Sequence, residues 1–66
     1  MISVRCDKET YEPAKIRAIA RQFHAAVQTE DEDPDYKWFS LSEYSGADEL
    51  ALELAIREIT SAYEVI

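Results

Sequence analysis

The sequence predicts an α+β fold, a small two-layer domain with helices on one face of a two- or three-stranded sheet. Three observations predict it: an alternating apolar segment at the start, two segments with apolar residues at helical spacing, and an aromatic segment between those two. The predicted order is β-α-β-α, and the sequence does not decide whether a further short strand follows at the C-terminus. A chain of 66 residues has room for one domain, which we place over residues 1–66.

The first strand is predicted over residues 1–6. Ile2, Val4 and Cys6 alternate there with polar side chains. A period of two with β-branched residues is typical of a strand that buries one face. We therefore expect these three side chains to face the core.

The first helix is predicted over residues 13–28. Pro13 suits the first turn of a helix, and apolar residues follow it at helical spacing. The predicted apolar stripe consists of Ile16, Ile19, Ala20, Phe23, Ala26 and Val27. This stripe should pack on the first strand.

Residues 29–35 are predicted to form a loop. Five of the six residues from 30 to 35 are acidic, and the sixth is Pro34. Repulsion between the carboxylates and the proline both oppose regular structure. A solvated linker is the plain interpretation of this segment, and a binding surface is the functional one.

The second strand is predicted over residues 36–44, because aromatic residues dominate that segment. Alternation places Phe39 and Leu41 on the core face. The opposite face should carry Tyr36, Trp38, Ser40, Ser42 and Tyr44, beside Ser3 and Arg5 of the first strand.

The second helix is predicted from about residue 46 to about residue 61. Ser45 and Asp48 have the spacing of a capping box, and a wide apolar arc follows. This arc indicates either burial against the sheet and the first helix or a dimer contact, and burial is favoured. Residues 62–66 either end this helix or form a short edge strand.

Charge limits the classes of function. The chain has 7 basic and 14 acidic residues, a formal net charge of −7, which argues against direct binding to DNA or RNA. Residues 1–28 carry a net +2 and residues 29–66 a net −9. An apolar fraction of 47% argues against disorder along the whole chain.

Residues for catalysis are few, and we do not expect an enzyme. Cys6 and His24 are the only candidates for a nucleophile and its base. Cys6 is expected to be a small core residue and His24 a half-exposed surface residue. A single glycine excludes a glycine-rich phosphate loop, and the sequence offers no set of zinc ligands, so no cofactor is predicted.

The acidic segment partly matches a calcium-binding loop. Asp31, Asp33 and Asp35 match the first three ligand positions of an EF-hand loop. Tyr36 stands where the loop needs glycine, and Ser42 stands where it needs the bidentate glutamate. We therefore predict no metal site.

Two surfaces are candidates for binding a partner. One is an acidic face, in which the loop, the helix start and one helix stripe are expected to merge: Glu30, Asp31, Glu32, Asp33, Asp35, Glu43, Asp48, Glu49 and Glu53. The other is an aromatic face formed by Tyr36, Trp38 and Tyr44. For Trp38, filling a small core by folding over the sheet edge is an equal alternative.

The chain is expected to be a complete small cytoplasmic protein. Its single cysteine suits a reducing compartment, and Arg5 and Asp7 interrupt the apolar start, so no signal peptide is predicted. No run of apolar residues approaches the length of a membrane span. A monomer or weak homodimer is expected, since so small a core gives modest stability.

A short, acidic, single-domain chain of this layout resembles phage-encoded inhibitors of bacterial defence. The resemblance is to anti-CRISPR proteins of type I systems and to DNA-mimic proteins, in size and charge over the whole chain. Residues 30–35 carry it, together with Asp48, Glu49 and Glu53. It implies inhibition by binding: the acidic face would cover the basic site where a CRISPR effector (Cascade) subunit holds DNA, in the cytoplasm of the bacterial host. A small adaptor that uses the aromatic face is the alternative.

Overall fold

A computed structural model describes all residues of the chain, 1–66. It contains one four-stranded antiparallel sheet and two α-helices in the order β-α-β-β-α-β. The elements are β1 (Ile2–Asp7), α1 (Glu12–Gln22), β2 (Ala26–Glu32), β3 (Tyr36–Ser42), a short 3₁₀ helix (Gly46–Asp48), α2 (Glu49–Arg57) and β4 (Tyr63–Val65). The predicted α+β class is confirmed.

The strand order across the sheet is β2-β3-β1-β4, so β3 and β1 are the central strands. This is the split β-α-β topology, in which two β-α-β units interleave in one sheet. Val4 lies opposite Phe39 of β3 on one side and opposite Tyr63 of β4 on the other. The C-terminal residues left open by the sequence therefore form an edge strand, and the sheet has four strands rather than two or three.

The predicted first helix is wrong at its C-terminal end, because α1 stops at Gln22 and β2 begins at Ala26. His24 adopts a left-handed φ of 57°, and the amide N–H of Ala25 donates to the carbonyl of Ala20 (2.8 Å). These are the features of a Schellman motif, which ends a helix and turns the chain away. Ala26 and Val27 consequently pair with β3.

The predicted loop over residues 29–35 is wrong as well. Residues up to Glu32 belong to β2, and only Asp33, Pro34 and Asp35 form the turn to β3. A bulge lies between Thr29 and Asp31 in the pairing with β3. Hydrogen bonds to a central strand overcome the low strand propensity of the acidic residues.

The second helix is shorter than predicted. Ser45 caps the helix start, since its Oγ accepts from the Ala47 N–H (3.3 Å), but Asp48 makes no side-chain bond in return, so only half of the predicted capping box forms. The first turn is 3₁₀, and α2 ends at Arg57. After α2 the chain turns back to the sheet, where the carbonyl of Ala62 accepts from the amide of Arg5 (2.8 Å). That bond starts the pairing of the last residues with β1.

The core lies between one face of the sheet and the two helices. Nine apolar residues are completely buried there: Ile2, Val4, Cys6, Ile16, Ala20, Phe39, Leu41, Leu52 and Ile56. The inward positions predicted for β1 and β3 are all among them. In α2, Leu52 and Ile56 face the core, whereas Leu50 and Leu54 are exposed. Neither helix has the length and hydropathy to traverse a bilayer.

Candidate protein-binding surfaces

The acidic segment is held in an ordered hairpin. Asp33 accepts hydrogen bonds at Oδ1 from the N–H groups of Asp35 (2.8 Å) and Tyr36 (2.6 Å), while its own N–H donates to the Tyr36 carbonyl (3.0 Å). The Lys8 N–H donates to the carbonyl of Asp35 (3.0 Å), which ties the turn to the end of β1. We call residues 30–35 the acidic hairpin.

Replacing Asp33 with alanine should destabilise this turn. The substitution leaves two N–H groups without their acceptor, so we expect a loss of about 1–2 kcal/mol in the free energy of unfolding. Urea denaturation followed by circular dichroism measures it. Asp35→Ala is the matched control, because the Asp35 side chain accepts no hydrogen bond and should change stability by less than about 0.5 kcal/mol. Equal losses in both variants would contradict the role of Asp33.

One carboxylate of the acidic hairpin is paired with lysines. Glu32 lies 2.6 Å from the Nζ of Lys8 and 4.0 Å from that of Lys37. The hydrogen bond and charge of Lys8, with a smaller effect from Lys37, lower the pKa of Glu32. Glu30, Asp31 and Asp35 are exposed and make no ion pair. The carboxylates of Glu30 and Asp35 are therefore available to a partner, whereas Asp31 accepts from the Glu32 N–H at Oδ1 (2.8 Å) and offers its Oδ2.

The lowered pKa of Glu32 predicts an acid-dependent contribution to stability. Its favourable pairing is complete above the ordinary glutamate pKa of 4.5 and is lost as the pH falls through the lower pKa of the folded state. Lys8→Gln should move the pKa of Glu32 back towards its ordinary value. A carbon-detected NMR titration of the carboxylates measures this, and an unchanged Glu32 titration in that variant would contradict the pairing.

The remaining acidic residues lie elsewhere. Glu43 follows the end of β3 that is opposite to the acidic hairpin, about 20 Å away at 3.3 Å per residue. Glu49 accepts from the Tyr44 hydroxyl (3.2 Å), and Glu53 accepts from Arg57 (3.2 Å) and from the Tyr63 hydroxyl (3.0 Å) on the β4 side. The expectation of one merged acidic face is therefore wrong: the predicted residues form two groups. We call Glu43, Asp48, Glu49 and Glu53 the helix group.

The sheet face away from the helices is open and carries an aromatic pair. The rings of Tyr36 and Trp38 meet edge to face with centroids 6.1 Å apart. The guanidinium of Arg5 lies 4.4 Å from the centre of the Tyr36 ring. Trp38 is half-buried and lies on the open face, not in the core. Tyr36, Trp38 and Arg5 thus share the face on which the sequence places them.

Tyr44 does not belong to this open face. Glu43 has a positive φ of 63°, which breaks the alternation of β3. Tyr44 consequently packs against the core, and its hydroxyl donates to Glu49. Burial, followed by the charge of Glu49, raises the pKa of Tyr44. The aromatic face consists of Tyr36 and Trp38 alone.

Beside Trp38 the open face has a shallow depression of about 330 Å³. It lies where β1 meets β4 and the preceding residues, and it is lined by Ser3, Arg5, Trp38, Ser61, Ala62, Tyr63 and Glu64. No three His, Cys, Asp or Glu side chains are grouped to hold a metal ion. The depression presents aromatic, guanidinium, hydroxyl and carboxylate groups.

Sequence reasoning missed that Asp31 belongs to the open face. The register places Asp31 directly opposite Trp38, so both side chains lie on the same side of the sheet. In an unbroken strand, the alternation of Val27 and Thr29 would place Asp31 on the inner face with them. The bulge between Thr29 and Asp31 moves Asp31 to the open face, and no pattern in the sequence marks that bulge.

The two candidate catalytic residues lie in different surroundings. Cys6 is completely buried on the inner face of β1, and burial, with the charge of Glu12, raises the pKa of its thiol to about 11. His24 is exposed at the end of α1. Since the thiolate is the reactive form, Cys6 is protonated and shielded at neutral pH.

We expect the folded protein to react with a thiol reagent about 100-fold more slowly than the unfolded chain, because the pKa of Cys6 rises from 9.0 to about 11. Unfolding by urea should release this reactivity. The same shift predicts that stability falls as the pH rises above 9, where the unfolded chain ionises and the folded protein does not. Fast labelling of the folded protein would contradict the burial of Cys6.

Comparison of the chain with protein-family models, with curated proteins and with solved structures finds no match.

Proposed function

We propose that this chain is an inhibitory binding protein rather than an enzyme, and that it occupies a basic surface which another protein uses to hold nucleic acid. The observation that carries the proposal is the acidic hairpin. Its carboxylates at Glu30, Asp31 and Asp35 are exposed and free of ion pairs, and the backbone that carries them is held in a hydrogen-bonded hairpin. A flexible linker, the plain interpretation of this segment, would not hold that backbone.

Carboxylates carried on a preformed hairpin backbone suit mimicry of phosphates for an energetic reason. Ordering a flexible acidic loop on binding costs free energy, and a preformed hairpin avoids that cost. A negative surface also steers a basic partner and speeds association. The net −9 of residues 29–66 supplies such a field.

The shape of the molecule supports a second contact. Its longest dimension is 35 Å, close to the roughly 34 Å of one turn of duplex DNA. The acidic hairpin lies at one end of β3, and Glu43, Asp48 and Glu49 of the helix group follow its other end. The proposal places both ends against one basic groove of similar length.

The partner we propose is a DNA-binding subunit of a type I CRISPR effector complex in the bacterial cytoplasm. The test is an electrophoretic mobility assay of a purified effector with its target DNA. The chain should abolish the shifted band at a molar excess, and the variant Glu30→Gln, Asp35→Gln should need about tenfold more protein. An unchanged shift at saturating protein would contradict the assignment to this partner.

A small adaptor is the second candidate, favoured by the open face with Tyr36 and Trp38. No helix covers this face, and aromatic residues on an open face are typical of protein interfaces. An adaptor should lose its partner in Trp38→Ala and show little dependence on salt. Retained affinity in that variant would count against it.

A further inference from the structure

Trp38 and Asp31 form a pair on the open face that resembles a receptor for a cation. They lie directly opposite each other on β3 and β2, with side chains on the same side of the sheet. Tryptophan is the best aromatic partner for a cation, and the neighbouring carboxylate adds an ionic contact. Trp38 has no cation over its ring, in contrast to Tyr36.

The same face already binds one guanidinium. Arg5 lies over the Tyr36 ring at 4.4 Å and forms no ion pair with any carboxylate. Arg5 is the register partner of Trp38 on β1, but its guanidinium lies over the Tyr36 ring, so no cation of the chain lies over the Trp38 ring. Three carboxylates lie at outward positions of their strands, those of Asp7, Asp31 and Glu64, and the one cation at such a position is Arg5. The face therefore has a net negative charge.

We propose that the Trp38–Asp31 pair binds an arginine side chain of a basic segment of the partner protein. The guanidinium stacks on the Trp38 ring and forms an ion pair with Asp31. This inference rests on the proposed function, since it names the residue type by which the basic partner is recognised. Arginine fits better than lysine because its planar group stacks and binds a carboxylate through two N–H groups.

A second copy of the chain is a poor occupant of this face. Two copies at −7 each repel one another. Four strands at about 4.8 Å spacing and about 20 Å length offer roughly 400 Å², about half of the 800 Å² per partner that a stable interface buries. Single-stranded nucleic acid is disfavoured by the carboxylates around the aromatic pair.

The fluorescence of Trp38, the only tryptophan of the chain, reports binding directly. The probes are an arginine–glycine repeat peptide, a lysine–glycine peptide of equal charge, and an oligodeoxythymidine. The arginine peptide should change the fluorescence in a saturable manner and bind at least about threefold more tightly than the lysine peptide. Equal affinity of the two peptides, or a fluorescence change with the oligonucleotide, would overturn the inference.

Asp31→Asn and Asp35→Asn are a matched pair of variants. Both remove one negative charge from the acidic hairpin, but only Asp31 lies beside Trp38. Asp31→Asn should weaken the arginine peptide about fivefold, and Asp35→Asn less than twofold. Equal weakening would overturn the Trp38–Asp31 site and leave the proposed function standing. No weakening in either variant, with binding independent of salt, would overturn both.

Substitution of Trp38 gives an independent readout. Binding is then measured by the anisotropy of a labelled arginine peptide, with circular dichroism as a check of folding. Trp38→Phe should weaken binding about threefold and Trp38→Ala about tenfold, following the strength of the ring as a cation partner. Unchanged affinity in folded Trp38→Ala protein would overturn the inference.

Discussion

Replacing Phe39 with alanine is expected to remove a large part of the free energy of unfolding of this protein. Phe39 is completely buried on central strand β3, between Val4 of β1 and Thr29 of β2. The guanidinium of Arg17 lies 5.0 Å from the centre of its ring and covers it from α1. Removing this ring leaves a cavity that the helix and both neighbouring strands line.

The expected loss is about 3–5 kcal/mol, the usual cost of a buried Phe→Ala change. A domain of 66 residues has only about 3–10 kcal/mol of stability. Thermal and urea denaturation followed by circular dichroism measure the change. Leu50→Ala is the control, because Leu50 is 65% exposed and should cost less than about 0.5 kcal/mol. A cooperative transition of Phe39→Ala at the wild-type midpoint would contradict the core assignment.

Reversal of two charges in the acidic hairpin is expected to have the largest effect on binding. Glu30→Lys with Asp35→Lys adds four units of charge at exposed positions that make no ion pair. Asp33 and Glu32 are left intact because they hold the turn and the link to Lys8. Affinity for the basic partner should fall on the order of 30- to 100-fold.

The matched control is Glu58→Lys, which is compared with the single variant Glu30→Lys. Both make the same change in net charge at an exposed residue, but Glu58 follows α2 and belongs to neither the acidic hairpin nor the open face. A location-specific contact predicts a loss of about fivefold in Glu30→Lys and below about twofold in this control. Equal losses in the two single variants would mean that only the net charge matters, which contradicts a binding surface at the acidic hairpin.

The fold class was predictable because the strongest patterns lie on the central strands. Ile2, Val4 and Cys6 in β1 and Phe39 and Leu41 in β3 have the period of a strand, and all five are buried as predicted. Burial against two helices makes this alternation strict. The alternation in β1 and β3 therefore predicts which face of the sheet packs against the helices.

The strand β2 could not be predicted from the same patterns. Ala26 and Val27 fit the helical stripe of α1 as well as they fit a strand. What separates the two elements is the left-handed backbone of His24, which the sequence indicates only weakly. Pairing with β3 then overrides the low strand propensity of the acidic residues.

The site residues were predictable singly but not in their grouping. The sequence shows that Glu30 and Glu53 are acidic, but only the fold shows where they lie. Glu30 is on the edge strand β2, and Glu53 contacts Tyr63 of β4. The charged residues of β2 also protect an edge strand from pairing with other chains. This structural role is compatible with binding, since the same carboxylates repel copies of the chain and attract a basic partner.

The proposed function requires that the acidic hairpin occupies a surface that otherwise holds nucleic acid. In an equilibrium competition, the labelled chain is bound to its basic partner, and duplex DNA of the target sequence is added at two salt concentrations. We expect DNA to displace the chain completely and the affinity of the chain to fall steeply with salt. A stable ternary complex that contains both DNA and the chain, with affinity independent of salt, would contradict the proposed function.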